Sequence, residues 1–194
     1  MTIRTIAHKH ANMYLIGNDP YILFDCGWHD SFSVIKKALR DYGVSFERLH
    51  GLFISHFHPD HAGTVELLRR HGVKPLILER QVPYIAWLNE FFTKPKNDPH
   101  GDYVPLGVST IIPLTMDMVS QALAECGTEG EIIYTPGHSD DSISLVVGDT
   151  AFVGDLPPYE NAESYGEAVV MSWCKLIACG VKTVYPAHGL NYKI

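Results

Sequence analysis

Residues 56–61 read His56-Phe57-His58-Pro59-Asp60-His61 and place four potential metal ligands within six positions, directly after the apolar run at 49–54. Side chains alternate in an extended segment, so His56 and His58 are expected to point the same way. The turn at Pro59 lets Asp60 and His61 face a second point nearby. Imidazole and carboxylate groups are the ligands that hold Zn, Fe, Mn or Co ions. The spacing therefore predicts two adjacent metal ions.

Three later segments each place a metal-capable side chain beside turn-forming residues, directly after a short apolar run that is typical of a strand. Taken alone, each would more often be a solvated turn. Together with residues 56–61 they supply a histidine, an aspartate and a histidine at strand ends, where the backbone holds ligands rigidly. The segments are Thr135-Pro136-Gly137-His138, Phe152-Val153-Gly154-Asp155 and Tyr185-Pro186-Ala187-His188-Gly189.

In this order the motifs resemble those of the metallo-β-lactamase superfamily of metallohydrolases, over nearly the whole chain from residue 12 to residue 189. The resemblance implies an α/β fold, a four-layer αββα sandwich, in which each metal has its own ligands and one carboxylate bridges both. The implied ligands are His56, His58 and His138 for the first metal, Asp60, His61 and His188 for the second, and Asp155 as the bridge. Periodicity alone supports only a mixed α and β class.

The resemblance also implies roles outside the ligand set. Asp25 matches the family's aspartate in the strand before the main motif, which orients the ligand loop by hydrogen bonding. Without the other motifs, an ordinary Asp-x-Gly turn would be the better interpretation. Asp60 is expected to orient or shuttle a proton towards the leaving group. Tyr159 lies four residues beyond Asp155, and lactonases of the family place a tyrosine in the same general region; an exposed loop aromatic is an equally good interpretation.

The expected function is metal-dependent hydrolysis. A divalent cation lowers the pKa of its bound water from 15.7 to about 7, so a bridging hydroxide could cleave a small ester, thioester or lactone. Zinc is the first choice and iron or manganese the alternatives, because every donor is nitrogen or oxygen. A bridging Asp155 resembles the thioesterase, lactonase and phosphodiesterase branches and not the true β-lactamases. The hydroxyacylglutathione hydrolases carry a C-terminal helical extension, whereas this sequence ends six residues after His188, so glutathione thioesters are not expected.

Two other functions remain open at this point. Persulfide dioxygenases hold a single Fe(II) through residues that match His56, His138 and Asp155, a two-histidine, one-carboxylate set suited to oxygen chemistry. A non-catalytic binding module is less expected, because nothing else would retain seven converging polar groups.

Length and composition limit the number of domains and the kinds of partner that the chain can have. The chain has 194 residues, enough for one sizeable core, so we expect a single domain over 1–194. It is 46% hydrophobic and 19% charged, and no apolar stretch approaches the roughly 20 residues of a membrane helix. The start of the sequence lacks a secretory pattern, which predicts a cytoplasmic location. With 15 basic and 22 acidic residues the net charge is −7, which disfavours nucleic acid and leaves a small-molecule acyl substrate as the expected partner. No oligomeric state is predicted.

Periodicity and turn signals predict most of the regular structure. Strands are predicted at 3–6, 13–16, 21–24, 49–54, 75–78, 131–134, 143–147, 150–153 and 181–185. Helices are predicted at 31–42, 62–71, 116–126 and 164–179. The irregular region 92–109 is expected to contain a substrate-covering loop at 94–103, with 28–29 and 157–165 as further walls. Trp87 belongs to an aromatic stripe at helical spacing and is interpreted as core.

Overall fold

The computed structural model describes all residues, 1–194, and contains two β-sheets with matching topology. In each sheet the first three strands are antiparallel and the fourth is parallel to the third. The first sheet has, in spatial order, β1 (Ile3–His8), β2 (Ala11–Gly17), β3 (Tyr21–Phe24) and β4 (Leu49–Phe53). The second has β5 (Glu131–Tyr134), β6 (Ile143–Val147), β7 (Thr150–Gly154), β8 (Thr183–Pro186) and the short antiparallel β9 (Tyr192–Lys193).

Six α-helices connect and cover the sheets. They are α1 (Phe32–Asp41), α2 (Pro59–Ala62), α3 (Val65–Arg70), α4 (Val82–Phe92), α5 (Val119–Glu125) and α6 (Glu167–Ala178). None of them combines the length and the apolar character that a membrane crossing requires.

The core is divided into layers by the alternation of side chains along each strand. In β3, Ile22 and Phe24 join the cluster between the two sheets, whereas Tyr21 and Leu23 join the cluster beneath the helices. On the outer face of the second sheet, Trp173 of α6 packs in a third cluster. Because successive strand residues point to opposite faces, a run that is apolar throughout buries both faces of its sheet. This confirms the predicted order of layers, helix, sheet, sheet and helix.

The helix predicted at 62–71 is interrupted in the structure. It forms α2 and α3, with a break at Gly63 and Thr64. A Cβ atom at Gly63 would lie 2.3 Å from the backbone nitrogen of His29 and 2.4 Å from the carbonyl carbon of Trp28. A glycine is therefore needed here because its backbone packs directly on another backbone segment, a contact that local periodicity does not reveal.

The strand predicted at 75–78 does not form. The segment makes only two isolated bridges, Leu52 to Pro75 and Leu78 to Leu114. Proline has no N–H for a continuous ladder, which limits pairing at the first of these residues. The helix predicted at 164–179 begins later, at Glu167, after a 3₁₀ turn at Tyr159–Tyr165 and a glycine at φ 101°.

Candidate metal centre

All seven predicted ligand side chains converge at one edge of the sandwich. The first sheet contributes the segment after β4, which carries His56, His58, Asp60 and His61. The second sheet contributes His138 after β5, Asp155 after β7 and His188 after β8. Since each follows a strand end, the sheets fix where each side chain begins.

Two groups of possible ligand atoms lie side by side, and a third group of His56, His61 and Asp155 overlaps both. In the first, the ring nitrogens of His56, His58 and His138 lie within 4.8 Å of one another. The His138 Nε2 is 2.9 Å from the His58 Nδ1. A cation at this point would meet three imidazoles.

The second group contains Asp60, His61 and His188, again with ligand atoms within 4.8 Å of one another. The Asp60 Oδ2 lies 3.3 Å from the His188 Nε2 and 3.6 Å from the His61 Nε2. This group offers one carboxylate oxygen and two imidazole nitrogens.

The Asp155 carboxylate stands between the groups and turns one oxygen to each. Its Oδ2 is 3.4 Å from the His138 Nε2 and 3.9 Å from the His56 Nε2. Its Oδ1 is 3.2 Å from the His188 Nε2 and 3.3 Å from the His61 Nε2. This is the geometry that a shared carboxylate needs.

Three buried polar atoms at the centre have no hydrogen-bond partner: the Nε2 of His56, the Nε2 of His61 and the Oδ1 of Asp155. Leaving such atoms unpaired is costly, on the order of 1–3 kcal/mol each. A cation would satisfy all three, because a neutral imidazole nitrogen and a carboxylate oxygen both present lone pairs to it. The donor set therefore fits divalent metal ions.

Asp25 holds two of the histidines in place from below. Its Oδ1 accepts the backbone N–H of Ser55 at 2.6 Å, and its Oδ2 accepts the Ser55 hydroxyl at 2.8 Å and the His61 Nδ1–H at 2.9 Å. The Ser55 Oγ in turn lies 3.0 Å from the His56 Nδ1. With Nδ1 engaged in this way, the Nε2 lone pairs of both rings face the centre.

Two supporting contacts were not foreseen from the sequence. The backbone carbonyl of His10 accepts the His188 Nδ1–H at 2.7 Å. The buried Asp141 accepts the backbone N–H of Phe57 at 2.8 Å and the hydroxyl of Ser139 at 2.6 Å, which ties the loop after His138 to the loop after β4. The only sequence signal was the polar run at 139–142, which an ordinary turn would explain equally well.

The charges at the centre favour ionised carboxylates. Burial raises the pKa of Asp155, but His188 and His61 outweigh it and hold that pKa far below its ordinary range. Burial likewise raises the pKa of Asp60, and the hydrogen bond from His188 together with the charge on His61 brings it below its ordinary value.

The imidazoles divide into two classes. Burial, reinforced by the neighbouring His61, lowers the pKa of His56 well below its ordinary value. Burial also lowers the pKa of His58, aided by His138. Burial opposes protonation of His61, but the charge on Asp25 and the contact with Asp155 raise its pKa to about 10. The carboxylates of Asp155 and Asp60, 3.2 and 3.3 Å from its Nε2, raise the pKa of His188 to about 11. In the absence of cations, protons on these last two rings balance the carboxylates.

A cavity of about 530 Å³ opens beside this centre, in the range of small-molecule sites. His138, Asp155 and His188 line its inner end. The rest of its wall is Gly154, Leu156, Pro157, Pro158, Glu160, Tyr165, Pro186, Leu190 and Tyr192. Of the three expected walls, the segment 157–165 therefore borders this cavity, and neither 28–29 nor 94–103 does.

Tyr159 points away from the ligand cluster. Its ring packs edge-on against Trp173 at a centroid distance of 5.7 Å and lines a neighbouring cavity, not the one beside Asp155. The loop 94–103 is fastened elsewhere: the Asp98 carboxylate lies 3.6 Å from the His29 Nε2, and Tyr103 stacks on Phe92.

The core interpretation of Trp87 was wrong. Its side chain is 47% exposed, and its ring lies 5.3 Å from that of His58. With Tyr84, Tyr134 and Arg80 it borders a further groove on the His58 side of the centre. Helical spacing identified the stripe, but it could not tell which member faces the ligand cluster.

Comparison with known proteins identifies the family. The family model described as the metallo-beta-lactamase superfamily matches residues 8–188. The chain belongs to this superfamily. Among solved structures, a metallo-beta-lactamase family protein from Thermus thermophilus superposes with a TM-score of 0.73 at 18% identity, covering 99% of this chain and 74% of that one. A superfamily protein from Sulfolobus tokodaii gives a TM-score of 0.63 at 22% identity over 98% and 81% of the two chains. These two support the fold alone.

Curated relatives point to the reaction class. This chain is 31% identical to the probable metallo-hydrolase YflN of Bacillus subtilis, over 70% of this chain and 55% of the relative. It is 28% identical to the probable metallo-hydrolase MJ0888 of Methanocaldococcus jannaschii, over 92% and 87%. It is 27% identical to the atrochrysone carboxyl ACP thioesterase AacuM of Aspergillus aculeatus, over 95% and 54%. The chain thus spans about half the length of YflN and AacuM.

Proposed function

We propose that this protein is a metal-dependent hydrolase that holds two metal ions and cleaves a small acyl ester, thioester or lactone. The observation that carries the proposal is the placement of Asp155, which turns one carboxylate oxygen towards each of two complete ligand groups. The proposed ligands are those expected from the sequence, with zinc as the first choice of metal and iron or manganese as alternatives.

A single metal would use only part of this arrangement. An iron held by His56, His138 and Asp155, as in a dioxygenase, would leave the second group without a cation. The buried Nε2 of His61 would then still have no hydrogen-bond partner, and Asp60 would still face it at 3.6 Å. Two cations satisfy both groups, so the geometry favours the dinuclear hydrolase.

The side chains divide the remaining work. Bound divalent cations supply Lewis acidity and, at neutral pH, a hydroxide nucleophile. Asp60, whose pKa lies below its ordinary value, remains ionised and is proposed to accept a proton and pass it towards the leaving group. Asp25 acts through His61 and Ser55, because its hydrogen bonds set the orientation of both ring and loop. Tyr159 has no part in this mechanism.

The substrate class rests on the cavity and on the relatives. The cavity is walled largely by apolar groups and ends at Asp155 and His188, which suits an acyl chain whose carbonyl lies at the centre. The relative AacuM is named as an acyl carrier protein thioesterase, so a thioester belongs first in the panel of substrates.

The test combines metal analysis with turnover. The protein is purified without chelators, its zinc, iron and manganese are quantified, and matched ester, thioester and lactone substrates are assayed. We expect two metals per chain and measurable hydrolysis of at least one class. A single tightly held iron, with oxygen uptake on a persulfide and no hydrolysis, would replace this proposal by the dioxygenase.

A further inference from the structure

One charged side chain borders the cavity apart from the residues of the metal centre. It is Glu160, and the wall near it is otherwise apolar or aromatic, with Pro157, Pro158 and Tyr192. At the mouth, Leu190 is 87% exposed. A ligand with an apolar part would cover this side chain and remove its surface from water.

The position of Glu160 is set by contacts that hold its 3₁₀ turn in place. The preceding Tyr159 packs its ring on Trp173, and the Trp173 Nε1–H donates a hydrogen bond to the Pro157 carbonyl at 2.8 Å. Glu160 comes next in the same 3₁₀ turn, on the ridge that separates the two neighbouring cavities. Its backbone is therefore held in place while its side chain remains at the rim.

The charge on Glu160 is not balanced by the protein. No lysine, arginine or histidine nitrogen lies within 4.0 Å of its carboxylate. The other ionisable groups on the cavity wall are His138, Asp155 and His188 at the inner end and the hydroxyls of two tyrosines. The cavity thus has a metal centre at one end, apolar walls, and a single free carboxylate at the rim.

We propose that Glu160 is a specificity-determining residue, which selects aliphatic acyl groups with an ammonium or similar cation at their far end and disfavours those that end in a carboxylate. The proposal rests on the hydrolase function proposed above. A cation on the acyl chain gains an ion pair at the rim, whereas an anion meets repulsion there. Since Glu160 is exposed, the selection is modest, about 2- to 5-fold between cationic and neutral chains.

Matched substrates test the proposal. Three substrates share one 4-nitrophenyl ester or thioester leaving group and differ in the charge at the far end of the acyl chain. The 6-aminohexanoyl substrate is cationic, the heptanoyl substrate is neutral, and the monosubstituted adipoyl substrate is anionic. With metal-loaded wild type, kcat/KM should fall from the cationic to the neutral to the anionic substrate, and the differences should shrink at high salt. Glu160→Gln should bring the three values together. Glu163→Gln is the matched control, because Glu163 lies in the same turn but lines only the neighbouring cavity.

A binding measurement separates the two proposals. Pentylammonium and 1-pentanol are titrated into metal-loaded wild type and both variants, and their dissociation constants are obtained from intrinsic tryptophan fluorescence. Turnover without charge discrimination, or discrimination that persists in Glu160→Gln, would overturn the role of Glu160. Absence of turnover together with a preference of about 2- to 5-fold for pentylammonium that Glu160→Gln removes would overturn the hydrolase substrate class and leave the rim site standing.

Discussion

Replacement of Asp25 by asparagine should weaken one metal site selectively. The Asp25 carboxylate is 1% exposed and accepts three hydrogen bonds, two from Ser55 and one from the Nδ1–H of His61. Asparagine retains one oxygen for the Ser55 N–H, but its amide presents N–H where His61 needs an acceptor. Asparagine also tolerates the φ of 62° at this position, so the backbone is not expected to change.

The magnitude follows from the tautomer of His61. Two donors that face each other leave one of them unsatisfied, which costs about 1–3 kcal/mol in a buried place. The ring escapes this cost by moving its proton to Nε2, the atom that must bind the cation. Metal binding has to return this proton to Nδ1, which costs free energy. The metal affinity of the site formed by Asp60, His61 and His188 should therefore fall about 10- to 100-fold, or by about 1.4 to 2.8 kcal/mol. The site of His56 should change much less.

The assay is competition against a chromophoric chelator, with metal content followed by elemental analysis. The variant should retain one metal at free concentrations that load two in the wild type. Glu66→Gln is the control, since Glu66 is also buried and paired, with Arg69 and Arg70, but lies away from the centre. It should lower thermal stability without changing metal affinity. Two metals bound to Asp25→Asn with wild-type affinity would refute the reasoning.

Three further predictions concern the same centre. Asp155→Ala removes the shared carboxylate and should lower kcat by several orders of magnitude; equal rates for variant and wild type would exclude a dinuclear mechanism. Because the pKa values of His61 and His188 are raised to about 10 and about 11 without metal, loading near pH 7.5 should release at least two protons. Affinity should therefore rise with pH, and calorimetry in buffers of different ionisation enthalpy measures the release; zero release would contradict it. Gly154→Ala should destabilise the protein by roughly 2–5 kcal/mol in denaturant unfolding, because φ is 57° and a Cβ atom would lie 2.5 Å from that of Ser55; a wild-type midpoint would show that the loops shift freely.

The strands were the most predictable part of the fold. The predictions at 21–24, 131–134 and 143–147 coincide with β3, β5 and β6, because short apolar runs bounded by turn signals leave little choice of structure. The errors arose where tertiary contacts decide the outcome. Gly63 packs against a backbone about 35 residues earlier in the chain, and no local pattern encodes this contact.

The residues of the candidate site also fall into those that the sequence predicts and those that it does not. The convergence of its seven candidate ligands could be predicted, because metal-capable residues at strand ends form a local pattern that matches a known order. Among the supports of that site, Asp25 could be predicted and the others could not. His10 holds His188 across 178 positions, and Asp141 holds the backbone of Phe57 across 84. The direction of Tyr159 depends on Trp173, in the helix that follows its turn.

The division of ligands between the two sheets explains why the supports must be distant in sequence. The first sheet carries four of the proposed ligands and the second carries three, so each metal group draws on both halves of the chain. Backbone contacts join the halves next to the centre: the Ile143 N–H donates to the Ser55 carbonyl at 2.8 Å, and the Asn12 N–H donates to the Ala187 carbonyl at 2.7 Å. A binding site shared between two elements is only as well defined as the contact between those elements. The hydrogen bonds that fix this contact therefore determine the geometry within each metal group, although none of the residues that form them is a proposed ligand.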